Sequence, residues 1–325
     1  MRPRRRLSIP EVFGLSPLSL AASQAALVLR GDPLVPPARF DRTSLAMVTP
    51  RLSVATWLGL KPAGRVIPLL NLFNHTPTAP ADGWSVRFTQ VRDFRGRGLT
   101  YDSHNGTDFV IPPGTVTVAA AAGRVVSVRR EFNRGGLKVY LDHGAGLMTS
   151  HHHLGRALVA VGDRVTRGQP VALTAYSGLD GLSAFPWVAP HVHYNVTLGG
   201  VLVDPFAPAG EVSLWRDANA PRPAPGPALP EDDVAPTTFS PGGVAALLDD
   251  LRDDGRRATL GAIADPTLRA FELIIEATVY PTRFTTPDAG RLLFVDPPPR
   301  APRLDLPFTG SDYDGVGFAD DLGFR

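Results

Sequence analysis

A series of short, valine-rich segments separated by turn residues constrains the fold of this chain most strongly. Between Gly83 and Phe206 these segments alternate apolar and polar residues in places, and Gly, Asp-His-Gly or Gly-Asp turns divide them. This pattern is typical of strands joined by tight turns. The sequence therefore predicts a mainly β fold built on a compact antiparallel sheet. The predicted strands are WSVRFTQV, TDFVI, TVTVAAAAGRVVSVRR, LKVYLDH, GLMTSHHHL, PVALTAY, HVHYNVTL and VLVDPF.

The composition divides the chain of 325 residues into four segments. Residues 1–82 form a Pro-punctuated N-terminal extension, in which RLSVATWLGL and RVIPLLNLFN are predicted as short helices. Residues 83–216 form the β domain. Residues 217–240 are rich in Pro, Ala and acids, which predicts an extended, mobile linker. Residues 241–325 form a small C-terminal module of mixed structure.

The C-terminal module begins with a predicted helix in SPGGVAALLDDLRDDG. Ser240 suits the N-cap, Pro241 the first turn and Gly255 the end of this helix. The later stretches FELIIEATVYP and RLLFVDP are predicted as strands. The module has neither His nor Cys, so we predict no chemistry in it.

The composition excludes several kinds of site. There is no Cys in the chain, so thiol nucleophiles, Cys-ligated zinc and disulfides are ruled out, and any metal must be held by His, Asp or Glu. The formal net charge is +2, and the only concentrated basic run is RPRRR at residues 2–6. We therefore expect no nucleic-acid partner.

The N-terminus permits two interpretations. An uncharged stretch at residues 12–29 follows the basic run, as in a signal peptide or a membrane tether. Pro10, Glu11 and Pro17 argue against both, and no stretch has the length and purity of a strong transmembrane helix. Membrane insertion thus has no firm support from the sequence.

The histidines are concentrated in the predicted β domain, where seven of the eight fall between His104 and His193. In HVHYNV, the side chains of His191, His193 and Asn195 share one strand face, which suits half of a metal or acid-base site and equally a polar outer face. In HNGTD, His104 and Asp108 are suitable zinc ligands. Alone, that pair would also fit a loop histidine and a turn aspartate.

Taken together, HNGTD and HVH resemble the H-x-x-x-D … H-x-H signature of the M23 (LytM/lysostaphin-type) zinc peptidases. The phrases LDHGAGLMTSHHHL, VAVGDRVTRGQPVALTAYSG and PHVHYNVTLGGVLVDPF extend the resemblance over Ser103 to Phe206. The resemblance implies an antiparallel sheet with a groove, which holds one Zn²⁺ per chain. It implies His104, Asp108 and His193 as the metal ligands and His191 as a catalytic residue.

The triplet His151–His153 corresponds to a Tyr-x-His-Leu phrase of the family. Alignment on Leu154 implies that His153 is the second catalytic histidine and that His151 replaces the Tyr. Strand alternation predicts that His151 and His153 share a face lining the groove and that His152 points away. The resemblance does not divide the acid and base roles between His153 and His191.

Further residues are predicted with alternatives left open. Asn195 is expected in the groove or behind the metal ligands. Tyr101 either supports the reaction or is a plain turn residue. Trp187, in a long loop at residues 176–191, is expected either as a groove wall or as a hydrophobic contact. Relatives also suggest a latency role for Asn71, Asn74 or His75, which would then cap the metal.

The implied function is zinc-dependent hydrolysis of peptide bonds in bacterial cell-wall peptidoglycan, in the cell envelope. One alternative is a degenerate family member that regulates or binds without hydrolysis. Another is a metal-binding or carbohydrate-binding β protein. The sequence does not indicate which peptide bond is cleaved, the oligomeric state or the role of the C-terminal module.

Overall fold

One large mixed sheet organises the chain in the computed structural model, which describes residues 6–225 and 235–325. Most of the basic run at 2–6 and the middle of the predicted linker lie outside the described residues. The sheet runs in the order β11-β1-β2-β9-β6-β5-β4-β7, with β10 beside β9 and with β8 joining β6 to β3. Its strands are β1 (Val66–Leu69), β2 (Thr107–Val110), β3 (Val116–Val118), β4 (Gly123–Glu131), β5 (Gly136–Asp142), β6 (Leu147–Ala157), β7 (Arg164–Val165), β8 (Pro170–Thr174), β9 (His191–Leu198), β10 (Val201–Val203) and β11 (Gly315–Phe318).

The pairings confirm the predicted antiparallel sheet, because among the described strands every pair is antiparallel except β1 with β11. WSVRFTQV is an exception to the strand predictions, since it forms only one bridge, at Ser85, and a series of bends. RVIPLLNLFN is not a helix but provides β1. RLSVATW does form the predicted helix.

The helices lie at the two ends of the chain and in one loop. They are α1 (Ile9–Phe13), α2 (Leu18–Arg30), α3 (Pro50–Trp57), α4 (Leu179–Ala184), α5 (Pro241–Asp250), α6 (Asp254–Gly261) and α7 (Pro266–Val279). The stretch from Ile9 to Arg30 has a mean hydropathy of 1.6 and is long and apolar enough to cross a membrane. The first part of this stretch contacts the loop after β8, because the Val12 carbonyl accepts from Tyr176 N–H and the Phe13 carbonyl accepts from Gly178 N–H.

The C-terminal segment differs most from prediction. FELIIEATV is not a strand but belongs to α7, where Asp265 caps the N-terminus by accepting from the Thr267 and Leu268 N–H groups. RLLFVDP contains the end of a 3₁₀ helix instead of a strand. Ser240 caps α5 as predicted, but the helix ends at Asp250 and α6 follows.

Both sheet faces are covered by residues from the C-terminal half of the chain. On one face, Phe109 and Tyr194 pack with Trp215 and Phe308 in the largest buried cluster. On the other face, α5 and α7 pack over Val126, Tyr140 and Met148. The C-terminal segment is therefore integrated with the sheet, although its boundary at 240/241 stays a prediction.

The described ends of the predicted linker also contact the sheet domain. Pro223 forms a β-bridge with Leu306, and the Thr237 hydroxyl donates to the Asp142 carboxylate at 2.6 Å. At these positions the chain is held by the fold rather than extended and free.

Candidate metal centre and active site

Two adjacent antiparallel strands bring the predicted metal ligands together. Asp108 on β2 lies directly opposite His193 on β9. Directly opposed residues of an antiparallel pair have neighbouring side chains on one face. His104 reaches the same point from the turn before β2, so the three side chains converge although 89 residues separate His104 from His193.

The three ligand groups lie within contact of one another. Asp108 Oδ1 is 2.8 Å from His193 Nδ1 and 3.1 Å from His104 Nε2, and the two imidazole nitrogens are 3.1 Å apart. The His104 Nδ1–H donates to the Leu72 carbonyl at 2.7 Å, because a carbonyl only accepts, so Nε2 is the ring nitrogen of His104 that faces the cluster. These three residues form a group that could hold a metal ion.

Burial sets the charge state that a metal requires. Burial lowers the pKa of His193 to about 4, against the opposing effect of the Asp108 carboxylate. For Asp108, burial alone would raise the pKa. The charges of His104 and His191 and the hydrogen bonds from His104 and His193 outweigh it and hold that pKa well below the ordinary value. At neutral pH the cluster therefore offers an ionised carboxylate and a neutral His193, the forms that bind zinc.

The turn between His104 and Asp108 depends on a glycine. A Cβ at Gly106 would lie 2.7 Å from the Tyr194 carbonyl oxygen and 2.8 Å from His193 Nε2. Asn195 supports the same turn, since its side-chain amide donates to the Asn105 carbonyl at 2.6 Å. Asn195 therefore lies behind the ligand-bearing turn, in agreement with one of its two predicted positions.

A β-bulge in β6 determines where the three consecutive histidines point. Opposite β6, Leu137 and Val139 on β5 pair with Leu154 and His151, so two residues of β6 oppose one of β5. His153 takes a left-handed conformation with φ of 59°. At such a bulge the alternation of side chains is interrupted.

As a result, the predicted orientations of His151 and His152 are wrong. The His152 ring lies 5.3 Å from the His193 ring, so His152 faces the metal centre. The His151 ring packs against Tyr194 on the opposite face, is fully buried, and binds the Thr117 hydroxyl at 2.9 Å. His151 is thus a core residue and not a groove residue.

His153 and His191 form a second pair beside the ligand group, with ring centroids 5.1 Å apart. Both rings donate from Nδ1 to a backbone carbonyl at 2.9 Å, His153 to Ser177 and His191 to Ala189. This fixes the tautomer and leaves both Nε2 atoms able to accept a proton. His191 Nε2 is 3.7 Å from Asp108, and burial lowers the pKa of His191.

The surroundings of His153 include a residue that the sequence reasoning missed. The Asp180 carboxylate lies 3.5 Å from His153 Nε2 and comes from the short helix α4. The loop at 176–191 is long and contains Trp187, but no sequence pattern in it indicates that Asp180 would lie beside a catalytic histidine. Tyr176 packs against both catalytic candidates, at 5.0 Å from His153 and 4.6 Å from His191.

The two predicted aromatic groove residues have different positions. Tyr101 packs on His104 with ring centroids 4.7 Å apart, so it belongs to the surroundings of the metal centre. The Trp187 side chain is 56% exposed and makes no ring contact with a histidine in the part of the chain that the structure describes. Its predicted place in the groove wall stays a prediction.

Of the three residues suggested as a metal cap, only Asn71 reaches the ligands. Its amide donates to Asp108 Oδ2 at 2.6 Å, while its Oδ1 is buried and has no hydrogen-bond partner among the described residues. Asn74 instead binds backbone carbonyls of its own loop, with the Gln90 carbonyl at 2.6 Å. His75 pairs with Asp204 at 2.8 Å.

The fold and this site define a β-sheet protein with a buried His-Asp-His group and a neighbouring histidine pair. Residues 102–205 match the model of peptidase family M23. The matched segment contains all five predicted ligand and catalytic residues.

Individual relatives cover the same segment. Over 97 residues the chain is 36% identical to the peptidoglycan DD-endopeptidase ShyA of Vibrio cholerae, covering 30% of this chain and 21% of that protein. Over 93 residues it is 36% identical to the murein hydrolase activator EnvC of Escherichia coli, covering 28% and 20%. The chain thus spans about a fifth of the length of the curated relatives that it matches.

A solved structure gives a similar local match. A zinc-containing peptidase from Vibrio cholerae aligns at 26% identity over 43% of this chain and 38% of that chain, with a TM-score of 0.32.

Proposed function

We propose that this chain is a zinc-dependent endopeptidase that hydrolyses peptide bonds of bacterial cell-wall peptidoglycan. The observation that carries the proposal is the juxtaposition of two sets of side chains. His104, Asp108 and His193 form a group that could hold a metal ion, and His153 and His191 lie beside it with Nδ1 bound to a backbone carbonyl and Nε2 within 4.0 Å of an aspartate. Similarity to a peptidoglycan DD-endopeptidase supports the substrate class.

The ligand group fits zinc in both chemistry and charge. Two imidazoles and one carboxylate are a donor set that zinc uses in catalytic sites, where a fourth position stays open. The buried Asn71 Oδ1 has no hydrogen-bond partner in residues 6–225 and 235–325, as expected for an oxygen beside a cation site. Bound zinc would polarise the scissile carbonyl and lower the pKa of a bound water.

The histidine pair supplies the proton transfers. Since Nδ1 of each ring is committed to a backbone carbonyl, His153 and His191 can take or return a proton only at Nε2. The Asp180 carboxylate lies 3.5 Å from His153 Nε2, next to the atom through which that ring would exchange a proton. Tyr101, packed on His104, holds that ligand ring in place.

The test is digestion of defined muropeptides by the zinc-loaded protein, with mass analysis of the products. We expect wild type to cleave a stem-peptide or cross-bridge bond, and His191→Ala to bind zinc normally but cleave at least about a hundredfold more slowly. His75→Ala is a matched control, because His75 is a histidine paired outside the site. The absence of peptide cleavage by zinc-loaded wild type would contradict the proposal.

A second candidate function is regulation of another wall hydrolase without hydrolysis. The similarity to EnvC favours it, as does the near-complete burial of the ligand side chains, of which His104 is 0% exposed. Replacement of His104 by Ala separates the two functions. Loss of muropeptide cleavage supports the enzyme, whereas activation of a partner hydrolase that survives this replacement supports the regulator.

The proposed place of action is the cell envelope, where the substrate is found. The apolar stretch from Ile9 to Arg30 is compatible with a signal or an anchor. Sequencing the mature N-terminus would test this, since the stretch is retained in an anchor and removed with a signal peptide.

A further inference from the structure

A cavity of about 280 Å³ opens beside the metal centre, and its walls come from distant parts of the chain. His104 and Asn105 line it from the ligand-bearing turn, Trp84 from the preceding loop, and Tyr280 from the segment after α7. Arg134, at the tip of the β4–β5 hairpin, completes this wall. A ligand in the cavity would therefore contact both a metal-ligand residue and an arginine.

Arg134 is held between two aromatic rings. Its guanidinium carbon lies 5.3 Å from the centroid of Trp84 and 5.3 Å from the centroid of Tyr280. These faces position the planar guanidinium, which donates no side-chain hydrogen bond to any of the described residues. Arg134 is partly buried, and burial lowers its pKa.

Arg134 also differs from the neighbouring arginines in that it contacts no carboxylate among the described residues; the charge of Glu131 acts on it only from a distance and against the larger effect of burial. Arg283 binds Asp32 at 2.7 Å and Glu276 at 2.6 Å, and Arg129 pairs with Glu272. Within the described residues, no carboxylate lies within 4.0 Å of Arg134. A partly desolvated charge without a counter-ion is costly unless a ligand supplies one.

Among the described residues, Asp288 is the one acid that lines the cavity, and it does not pair with Arg134. Asp288 has a side chain that is 66% exposed and that faces Arg291 at 3.7 Å. The cavity is otherwise lined by aromatic, aliphatic and neutral polar residues. Its charge therefore favours an anionic group, and the planar guanidinium favours a carboxylate.

We propose that Arg134 binds a carboxylate of the peptide substrate, in the cavity next to His104. The proposal rests on the proposed peptidase function and narrows its substrate class to peptides with a free carboxylate near the scissile bond. Two sources share this chemistry, namely the C-terminal α-carboxylate of a stem peptide and the side-chain carboxylate of an acidic residue. The C-terminal segment would then contribute to specificity through Tyr280.

The test compares three muropeptides that differ only in amidation: one with both carboxylates free, one amidated at the C-terminus, and one amidated at the acidic side chain. For zinc-loaded wild type, we expect amidation of one carboxylate to raise KM at least about tenfold with little change in kcat. The amidated peptide whose KM rises identifies which of the two carboxylates Arg134 binds. Equal KM values for all three peptides would overturn the proposal without any variant.

Arg134→Gln should raise KM for the free-carboxylate peptide by the same factor and should no longer respond to amidation. Arg134→Lys should retain part of the preference, because it keeps the charge but loses the planar pair of donors. Arg130→Gln is the matched control, since Arg130 is exposed on the same hairpin. An amidation preference that persists in Arg134→Gln, or an equal fall in kcat for all three peptides, would show that Arg134 is structural.

Equilibrium binding separates this proposal from the proposed function. If wild type cleaves none of the peptides, the peptidase proposal fails. The dissociation constants of the same three peptides, measured by fluorescence anisotropy, still test Arg134. At least tenfold weaker binding of the free-carboxylate peptide to Arg134→Gln supports carboxylate recognition, and unchanged binding rejects it.

Discussion

The two faces of the central sheet both bury histidines, but they use them differently. On the site face, His104, His191 and His193 lie within 4.0 Å of the Asp108 carboxylate, and His152 and His153 pack against these rings. On the opposite face, His143 and His151 each bind a threonine hydroxyl and contact no carboxylate within 4.0 Å in the described residues. Burial of a histidine therefore does not mark a reactive site; convergence on an acid does.

Burial lowers the pKa of histidines on both faces, including His193 to about 4, so the acid is what distinguishes the site face. On the opposite face, burial lowers the pKa of His143 to about 4 and that of His151 to about 3. Asp108, on the site face, opposes this effect for its neighbours and remains ionised. The acid thus supplies the anionic donor that the candidate cation site needs. Five changes test the comparison.

Replacing the acid should have the largest effect. Asp108→Ala removes the only carboxylate among the three ligand groups, and we expect loss of stoichiometric zinc and a fall in kcat/KM of at least about a thousandfold, or ~4 kcal/mol. Zinc content by mass spectrometry and muropeptide cleavage measure both. His143→Gln, on the opposite face, should keep its zinc. Full zinc occupancy in Asp108→Ala would show that the acid is not what enables the histidines of the site face to bind a metal.

The second effect concerns how much kcat/KM falls when different histidines of the triplet are replaced. His153→Ala should lower kcat/KM by roughly 10²–10⁴, because it removes a proton-transfer group. His152→Ala should cost about tenfold, since His152 only packs against the His193 ligand. Both are measured at saturating zinc. A larger loss in His152→Ala than in His153→Ala would show that His152, and not His153, is the catalytic histidine of the triplet.

The third effect is a loss of stability in acid. His143 and His151 have folded-state pKa values of about 4 and about 3, below the ordinary value of 6.5. The unfolded chain therefore binds protons before the folded chain does. The free energy of unfolding should therefore decrease as the pH is lowered from 6.5 toward 4, by about 1.4 kcal/mol per pH unit for each ring. Urea unfolding of metal-free protein between pH 7 and pH 4.5 measures it.

The variants His143→Gln and His151→Leu provide the control for this acid effect. Each removes one titrating ring, so the dependence of the unfolding free energy on pH should become shallower by one ring's contribution. An unchanged slope in both variants would show that other groups cause the loss.

The fourth effect concerns the core position of His151. In His151→Leu, the loss of the bond to Thr117 is offset by removal of a buried Nε2 that has no partner among the described residues. We expect the free energy of unfolding at pH 7 to change by less than about 2 kcal/mol, with zinc content and kcat unchanged. A large fall in kcat at full zinc occupancy would show that His151 takes part in the active site, as the sequence predicted.

The smallest effect is expected at Trp187. Because its side chain is 56% exposed, Trp187→Ala should change stability by less than about 0.5 kcal/mol and leave kcat unchanged. The KM for muropeptides provides the readout. A tenfold rise in KM would support the predicted groove wall.

The convergence of His104, Asp108 and His193 could be predicted because it depends on short motifs and one strand pairing. The HNGTD turn needs only its glycine, and H-x-H places two rings on one face by simple alternation. The orientation of His151 and His152 could not be predicted in this way. It depends on a bulge opposite Lys138, and nothing in a run of three identical residues indicates which one interrupts the alternation.

The error at α7 has a different origin. FELIIEATV is apolar and rich in β-branched residues, and a continuous apolar run suits either a buried strand or a buried helix. Here the N-cap Asp265 and the following Pro266 favour the helix, and both of its sides are covered by the sheet and by α5. The cap lies outside the apolar run on which the strand prediction was based.

The parallel pair of β1 and β11 has a consequence for the order of assembly. Arg65 and Asp314, which flank this pair, are 249 residues apart in the chain. Strands β2 to β9 can pair as soon as residue 198 has been synthesised, but β1 receives its outer neighbour only after more than a hundred further residues. Contacts of such long range form late. We therefore expect the sheet edge beside the Asp108 strand to be completed after the strands that carry the candidate metal ligands have paired.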